Sequence, residues 1–423
     1  MLTISQRGNS YFVDLIHLYD LIMKKIFFAI LAVLPLTAFC QPSSLKELTL
    51  AWKTSFHKPI ISSPLVDGEI AYAGCLDSNL YALDIKSGEI KWKFKTKGEI
   101  RSTVALNGEV LYFTSRDGNL YALSKADGKL EWAFKTGGDK KYDPYDYYES
   151  TPIVNDNTIY FGESDSTFYA LNATDGKLKW SYKSSGIIHT TPAIGKGKIY
   201  FGSFDGYVYA LSLTDGKLLW KFKSLGHDYF LKGEMQFSPT YANGMVYIGG
   251  RDYNLYALDA EKGFCHWNRA FPQGWVTSIT LSPRTDSVLL IGTSDPEVLL
   301  CIDGIYGSDI WKCKTGTNIF NNVAFNKTTC FAGTANGKLL GVNRTDGVLK
   351  YSFSVDGYNA NHLQYLKPDD TYRDDIGSLI KSGDDYITFC TKLGSVMAKP
   401  VVIGNKIIFS SMDGNIYCLN VPE

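Results

Sequence analysis

LYALDIKSGEIKW, residues 80–92, decides the fold because it returns along the chain at near-constant spacing. LYALSKADGKLEW (120–132), FYALNATDGKLKW (168–180), VYALSLTDGKLLW (208–220) and LYALDAEKGFCHW (255–267) are plain copies. LLCIDGIYGSDIW (299–311) and LLGVNRTDGVLKY (339–351) are weaker ones. An eighth opens as IYCLN (416–420) and stops. The strand it lacks stands at the other end of the chain, as LAWKTSF (50–56) around Trp52.

Working upstream, each copy has an S/T-x-P-like strand start and then an aromatic-x-Gly strand. The proline column reads Pro64, Val104, Pro152, Pro192, Pro239, Ile279, Val323 and Pro400. From it to the end of the next strand is ten residues in seven copies, and a further seven lead to the Tyr81-type position. Only the sixth copy departs, through LSPRTDSV. Alternating segments such as EIAYAG and KIYFGS read as strands, and the Asp-Gly pairs between strands read as hairpin turns. One unit of about 40 residues cannot bury both faces of its sheet, and an open array would leave edge strands exposed. The expectation is all-β: an eight-bladed β-propeller of four-stranded antiparallel blades, closed by the N-terminal strand completing the C-terminal blade. No Trp-Asp pair ends the strands, which argues against a WD-repeat protein.

Within the first copy the invariant spacing is Ala82-x-Asp84-x3-Gly88-x3-Trp92. The small residue leaves room for a ring, the Asp, Asn or Ser bonds turn amides, and the glycine sits in the turn. The ring on the outer strand fills the space between blades. Trp52, Trp92, Trp132, Trp180, Trp220, Trp267, Trp311 and Tyr351 are therefore read as structural docking residues. This pattern over residues 50–423 resembles the tryptophan-docking repeats of the quinoprotein-type (PQQ-like) β-propellers, closest in style to BamB-like outer-membrane assembly propellers. The resemblance implies one of two uses of the ring. Pyrroloquinoline quinone (PQQ) dehydrogenases use the axis as a catalytic pocket, whereas BamB-like lipoproteins use the ring as a protein-binding scaffold. The dehydrogenases' vicinal Cys-Cys pair is absent here, and no run matches their metal-binding or catalytic motifs.

The 423 residues carry 43 Lys+Arg against 43 Asp+Glu, so no cationic excess exists to displace counterions from nucleic acid. The 39 glycines and 28 tyrosines suit short strands and tight turns. Residues 26–39, IFFAILAVLPLTAF, follow Lys24 and Lys25 and precede Cys40, as in a secretory signal peptide. Residues 1–22 read as a mis-called leader, 23–40 as the signal peptide, 41–49 as an N-terminal linker and 50–423 as the propeller. The competing reading is a lipid anchor at Cys40, against which bulky Phe39 speaks. The mature chain has no transmembrane segment and is expected in the periplasm or at the outer membrane, as a monomeric ring. Its seven cysteines read as small buried hydrophobes, with disulfides as the open alternative.

Three connections from an outer strand to the next blade are extended: Trp132 to Pro152, Trp220 to Pro239, and Tyr351 to Pro400 with an insertion at about 355–397. All three emerge on one face, where loops on a rigid scaffold carry binding. The first holds Tyr142, Tyr145, Tyr147 and Tyr148, and the second His227, Tyr229 and Phe230; Trp275, off the docking register, lies near the same face. These are the candidate partner-binding residues. The third holds Asp pairs at 369–370, 374–375 and 384–385 without calcium-loop spacing, and reads as a solvated acidic loop. A second candidate is the channel rim, three residues before the proline column. Four consecutive positions there are polar, Arg101, Glu149, His189 and Gln236; Ile61, Val276, Phe320 and Met397 complete the ring. Such a rim holds a small polar ligand, or else Arg101 pairs with Glu149 and His189 is simply hydrogen-bonded.

G-x-S-x-G, H-E-x-x-H and P-loop patterns are absent, and the six histidines lack metal-ligand spacing. No catalytic or metal residue is assigned and no cofactor is expected. The favoured reading is an exported, non-enzymatic scaffold for a protein or glycan partner of the cell envelope, with outer-membrane assembly as the version implied by resemblance. The alternatives are a PQQ-dependent oxidoreductase with calcium, and a divergent carbohydrate-active propeller.

Overall fold

The computed structural model describes residues 45–422 except 139–141, 144, 273, 284–286 and 295–296. The expected leader, signal peptide and Cys40 lie outside the described residues. Blades 1 to 7 occupy 65–95, 105–135, 153–183, 193–223, 240–270, 276–314 and 324–354, and blade 8 occupies 401–420. In each, four strands lie side by side in chain order. Blade 8 takes its outer strand from β2 (Thr49–Ser55), which runs antiparallel to Asn415–Asn420 with Trp52 opposite Cys418. The ring closes as the repeat arithmetic requires.

Every blade repeats one local device. Third and outer strands slip by a residue beside the docking ring: Ala82 faces Trp92, yet Leu83 faces Ile90. That bulge turns the indole towards the next blade. The Nε1–H of Trp52, Trp92, Trp220, Trp267 and Trp311 donates to carbonyls of Ile85, Lys125, Ala260, Gly304 and Arg344, at 2.9 to 3.3 Å. Each ring also lies flat on the turn glycine of the following blade. A Cβ added to Gly216, at φ +69°, would sit 2.4 Å from Cε3 of Trp180. The glycine thus answers two demands, a left-handed backbone and the close approach of an indole. A second column escaped the sequence reading. The hydroxyls of Tyr81, Tyr121 and Tyr209 donate to the aspartate four residues earlier, Asp77, Asp117 and Asp205, at 2.6 to 2.7 Å. Tyr169, Tyr256 and Tyr417 do the same with Asp165, Asp252 and Asp413.

Two expectations need correction. The segment 41–49 is not merely a linker. Its β1 (Lys46–Glu47) adds a parallel fifth strand to blade 7, Lys46 opposite Tyr351, and Leu48 is fully buried. Tyr351 keeps the docking register, but the chain ends fall where blade 8 would carry its turn glycine. β1 and Leu48 cover that seam instead. The insertion is not a solvated loop either. It folds into α1 (Asp356–Asn361), α2 (Ile376–Leu379) and α3 (Gly383–Leu393). Ser382 caps α3 by accepting from Asp385 N, and Gly394 ends it at φ +70°. Phe389, Cys390 and Leu393 of α3 sink into the largest apolar cluster of the molecule. The acidic pairs serve local structure: Asp370 meets Lys338 and the Tyr358 hydroxyl, Asp374 pairs with Lys367 at 2.6 Å, and Asp375 with Arg373 at 2.9 Å. Asp384 and Asp385 lie in the first turn of α3, where a helix favours negative charge.

All seven cysteines among the described residues are free, and six are buried. No described helix is long and apolar enough to cross a membrane.

Candidate functional site

The first extension lies across the mouth of the axial channel, tied on all sides. Arg101 Nη1 donates to the Tyr147 carbonyl at 3.3 Å, and Gln236 Nε2 to the Tyr145 carbonyl at 2.6 Å. His189 Nδ1 lies 2.8 Å from Asp146 Oδ1, while the Tyr148 hydroxyl donates to the Phe320 carbonyl at 2.6 Å. These partners belong to different blades around the axis, so the described residues of 142–149, all but 144, form a strap. The strap is where Arg101, His189 and Gln236 direct their polarity. The predicted Arg101–Glu149 pair is not made: Arg101 takes Glu99 at 2.7 Å, and Arg116 takes Glu149 at 3.1 Å. The reason is local, since Glu99 stands two residues from Arg101 on the same segment.

The strongest tie is Arg251, which is fully buried. Its guanidinium forks onto Asp143, with Nη2 3.1 Å from Oδ1, and its Nε donates to Gln236 Oε1 at 2.6 Å. Tyr142, Phe204, Phe230 and Trp275 surround it, their ring centres 5.1 to 5.8 Å from Cζ. A cation so far from water needs both the fork and the rings. The Tyr142 hydroxyl donates to Glu234 Oε1 at 3.0 Å, and burial, reinforced by that carboxylate, pushes its pKa up to about 12.

His189 Nε2 also lies 2.5 Å from Ser164 Oγ, completing a Ser164–His189–Asp146 chain. With Asp146 accepting from Nδ1, Nε2 accepts the Ser164 proton. The order resembles an acyl-transfer triad, but all three residues are buried and Ser164 is not among the channel's wall residues. The chain of hydrogen bonds holds Asp146, and with it the strap, in place.

Beneath the strap lies a channel cavity of about 420 Å³, walled by seven of the eight rim positions, Val276 being the exception. A belt of hydroxyls runs around part of it. The amides of Lys399, Ser63, Thr103, Thr151 and Thr191 donate in turn to the hydroxyls of Ser63, Thr103, Thr151, Thr191 and Ser238, at 2.8 to 3.2 Å. From blade 8 through blade 5, the residue before the proline-column position therefore links one blade to the next. Lys399 reaches water in the channel, yet the surrounding walls lower its pKa.

The second and third extensions meet the strap to form an aromatic cleft of about 480 Å³. Tyr145 and Tyr147 come from the strap, Tyr229 and Phe230 from the second extension, and Ile380, Lys381 and Tyr386 from the helical insertion; Trp275 stands between them. Trp275 meets Tyr145 edge-on at 5.9 Å and Phe230 at 5.2 Å. Of the loop residues singled out in the sequence, Tyr145, Tyr147, Tyr229, Phe230 and Trp275 share this cleft. Tyr142 and Tyr148 belong to the strap but stand outside the cleft walls, Tyr142 against Arg251 and Tyr148 on the channel, while His227 packs on Tyr253, ring centres 4.4 Å apart. Tyr229 and Leu231 at the edge are 83% and 82% exposed. No carboxylate among the described residues lines the cleft. Among the described residues, the Tyr147 hydroxyl and the Trp275 indole N–H meet no partner, and burial raises the Tyr147 pKa well above the tyrosine range.

Sequence reasoning missed Arg251, Asp143, Asp146 and Tyr386. Arg251 was detectable: it stands two residues after the strand-ending glycine, in the column where Leu76, Arg116, Phe204 and Met412 also stand. Tyr386 had no such signal, because the insertion has no counterpart in the other repeats.

The family model of the outer membrane protein assembly factor BamB matches residues 48–103, 77–312 and 204–364. No curated protein matches the chain. Among solved structures, BamB from Moraxella catarrhalis is 15% identical, with TM-score 0.63, over 89% of this chain and 98% of that one. The computationally designed Ika8 protein is 14% identical, with TM-score 0.67, over 88% and 100%. The quinohemoprotein alcohol dehydrogenase from Pseudomonas putida HK5 is 13% identical, with TM-score 0.65, over 88% and 76%. At such identities these likenesses concern the fold.

Proposed function

Because the chain belongs to the family of the outer membrane protein assembly factor BamB, we propose that it is an exported, non-enzymatic scaffold. It docks a protein partner of the cell envelope through the face built by its three extensions, in the periplasm or at the outer membrane. The observation that carries this reading is the aromatic cleft to which all three extensions contribute, edged by exposed Tyr229 and Leu231. Large rings with polar tips, held on a rigid ring, are what a protein interface uses for its anchors.

The lining chemistry favours a protein over a glycan. Among the described residues no carboxylate, the strongest acceptor for sugar hydroxyls, lines the cleft, and its walls are mainly aromatic. Hydrolysis of a glycosidic bond would also need two carboxylates some 5 to 9 Å apart. Among the described residues Glu149 is the one carboxylate on the channel wall, and Arg116 holds it. Nor does the axis fit a quinone cofactor. The strap covers the mouth, and Arg101, His189 and Gln236 direct their hydrogen bonds to it.

The test is site-specific photo-crosslinking in cells, with the crosslinker at position 229 or, as a control, at position 350 on the outer strand of blade 7. Position 229 should capture a discrete envelope protein and position 350 should not. Equal capture from both positions, or none from 229, would remove the proposal.

A further inference from the structure

Six of the eight seams between blades are closed by an aromatic pair, formed by a ring on or just after one blade's outer strand and the Tyr81-type ring of the next. Phe94 meets Tyr121 at 5.6 Å, Phe134 meets Tyr169 at 5.5 Å, and Tyr182 meets Tyr209 at 5.6 Å. Phe222 with Tyr256, Phe353 with Tyr417 and Phe56 with Tyr81 complete the set. The pair is absent from two seams: between blades 6 and 7, where Cys313 and Leu340 occupy the two positions, both buried and Cys313 in an apolar cluster, and between blades 5 and 6, where Arg269 and Leu300 do. The space the rings would fill is a lateral cleft of about 760 Å³.

Its floor is apolar, made by Phe271, Val298 and Leu300, each at least nine-tenths buried. Its charged wall is mostly basic. Arg269 is held by Asp309 at 2.5 Å, whereas Lys312 and Lys314 point into the cleft from the outer strand of blade 6, exposed and without a carboxylate among the described residues. That strand is also a free sheet edge. The equivalent edge of blade 7 already carries an added parallel strand, Lys46–Glu47, so such an edge in this ring accepts one.

We propose that the cleft between blades 5 and 6 is a second binding site, separate from the loop face, for an extended acidic polypeptide segment. Apolar side chains of the segment enter the slot over Leu300 and Val298, and its carboxylates meet Lys312 and Lys314. Its backbone lies along the blade 6 edge, the mode by which peptides extend exposed sheets.

A fluorescein-labelled peptide of alternating glutamate and leucine, six residues long, tests this by anisotropy on the intact chain. A lysine–leucine peptide and phosphatidylglycerol vesicles serve as the other arms. The glutamate peptide should bind and weaken as salt rises. The double variant Arg269→Phe, Leu300→Phe refills the slot as other seams are filled, and should lower affinity at least tenfold. Phenylalanine is chosen over tyrosine because Pro296 stands where the hydroxyl's aspartate would be. Lys312→Glu with Lys314→Glu, at exposed positions that need no repacking, should cause a similar loss. Failure of the glutamate peptide to bind overturns the proposal, as does unchanged binding by both variants or binding of the vesicles alone. Because the readout avoids the loop face, it does not depend on the crosslinking result at position 229.

Discussion

Glycine at the blade turns answers two demands, and a matched pair of substitutions separates them. Gly216 has φ +69°, and a Cβ there would lie 2.4 Å from the Trp180 ring. Gly404 has φ +58° in the inner hairpin of blade 8, where a Cβ would meet nothing within 4 Å. Alanine at Gly404 pays only for the left-handed backbone, about 1–2 kcal/mol. The corresponding turn of blade 3 supports this, since Asp156 and Asn157 adopt φ +45° and +55° there. Alanine at Gly216 adds overpacking, about 1–3 kcal/mol, because the indole is fixed between blades and cannot withdraw. The expected totals are about 1–2 against about 2–5 kcal/mol. A ring this long has an unfolding entropy at which 1 kcal/mol shifts Tm by about 1 °C. Thermal unfolding followed by circular dichroism should therefore show a loss of about 1–2 °C for Gly404→Ala and about 2–5 °C for Gly216→Ala. Should Gly216→Ala lose no more than Gly404→Ala, the indole does not depend on that glycine for its seat, and the docking argument fails.

Other consequences follow from the same geometry. Asp143→Ala leaves the Arg251 guanidinium buried without its carboxylate and should cost about 3–5 kcal/mol; limited proteolysis should then cut within 142–149, a site the parent chain protects. Tyr142, Tyr169 and Tyr247 have pKa values pushed up to about 12, chiefly by burial, so the folded chain keeps protons that the unfolded chain releases near pH 10. Their contribution to stability is complete below pH 10 and is lost between about pH 10 and 12; absorbance at 295 nm, followed against unfolding, checks this. Burial raises the thiols of Cys75, Cys330 and Cys390 to about 12 and those of Cys301, Cys313 and Cys418 to about 11. A thiol-specific disulfide reagent should react with half-exposed Cys265 and reach the other six only in denaturant.

The residues that spoke clearly in the sequence are those whose role repeats. Trp92 and Gly88 recur eight times or nearly so, and a column that recurs must serve something every blade shares. Arg251 and Asp143 are a single pair separated by 108 residues, with no periodicity to reveal them. The rim shows the same limit from the other side. Register alone located Arg101, His189 and Gln236 on the channel, but their partners came from the strap, a segment outside the repeat. The third extension was misread for a related reason: its aspartates look solvated in a row, while the apolar side of α3 that buries Phe389 and Leu393 becomes visible only against the ring.

By itself, then, the sequence determined the number of blades, their strand order, the closure by Trp52's strand and the face on which the extensions emerge. Each follows from local spacing repeated until a sheet edge has nowhere to go but its neighbour. Tertiary structure alone decided that the polar rim grips the chain's own strap, that three unrelated extensions make one cleft, and that the seam between blades 5 and 6 holds a cleft of its own. Those outcomes depend on contacts between segments far apart in sequence, fixed by which buried charges and rings can satisfy one another once the ring has closed.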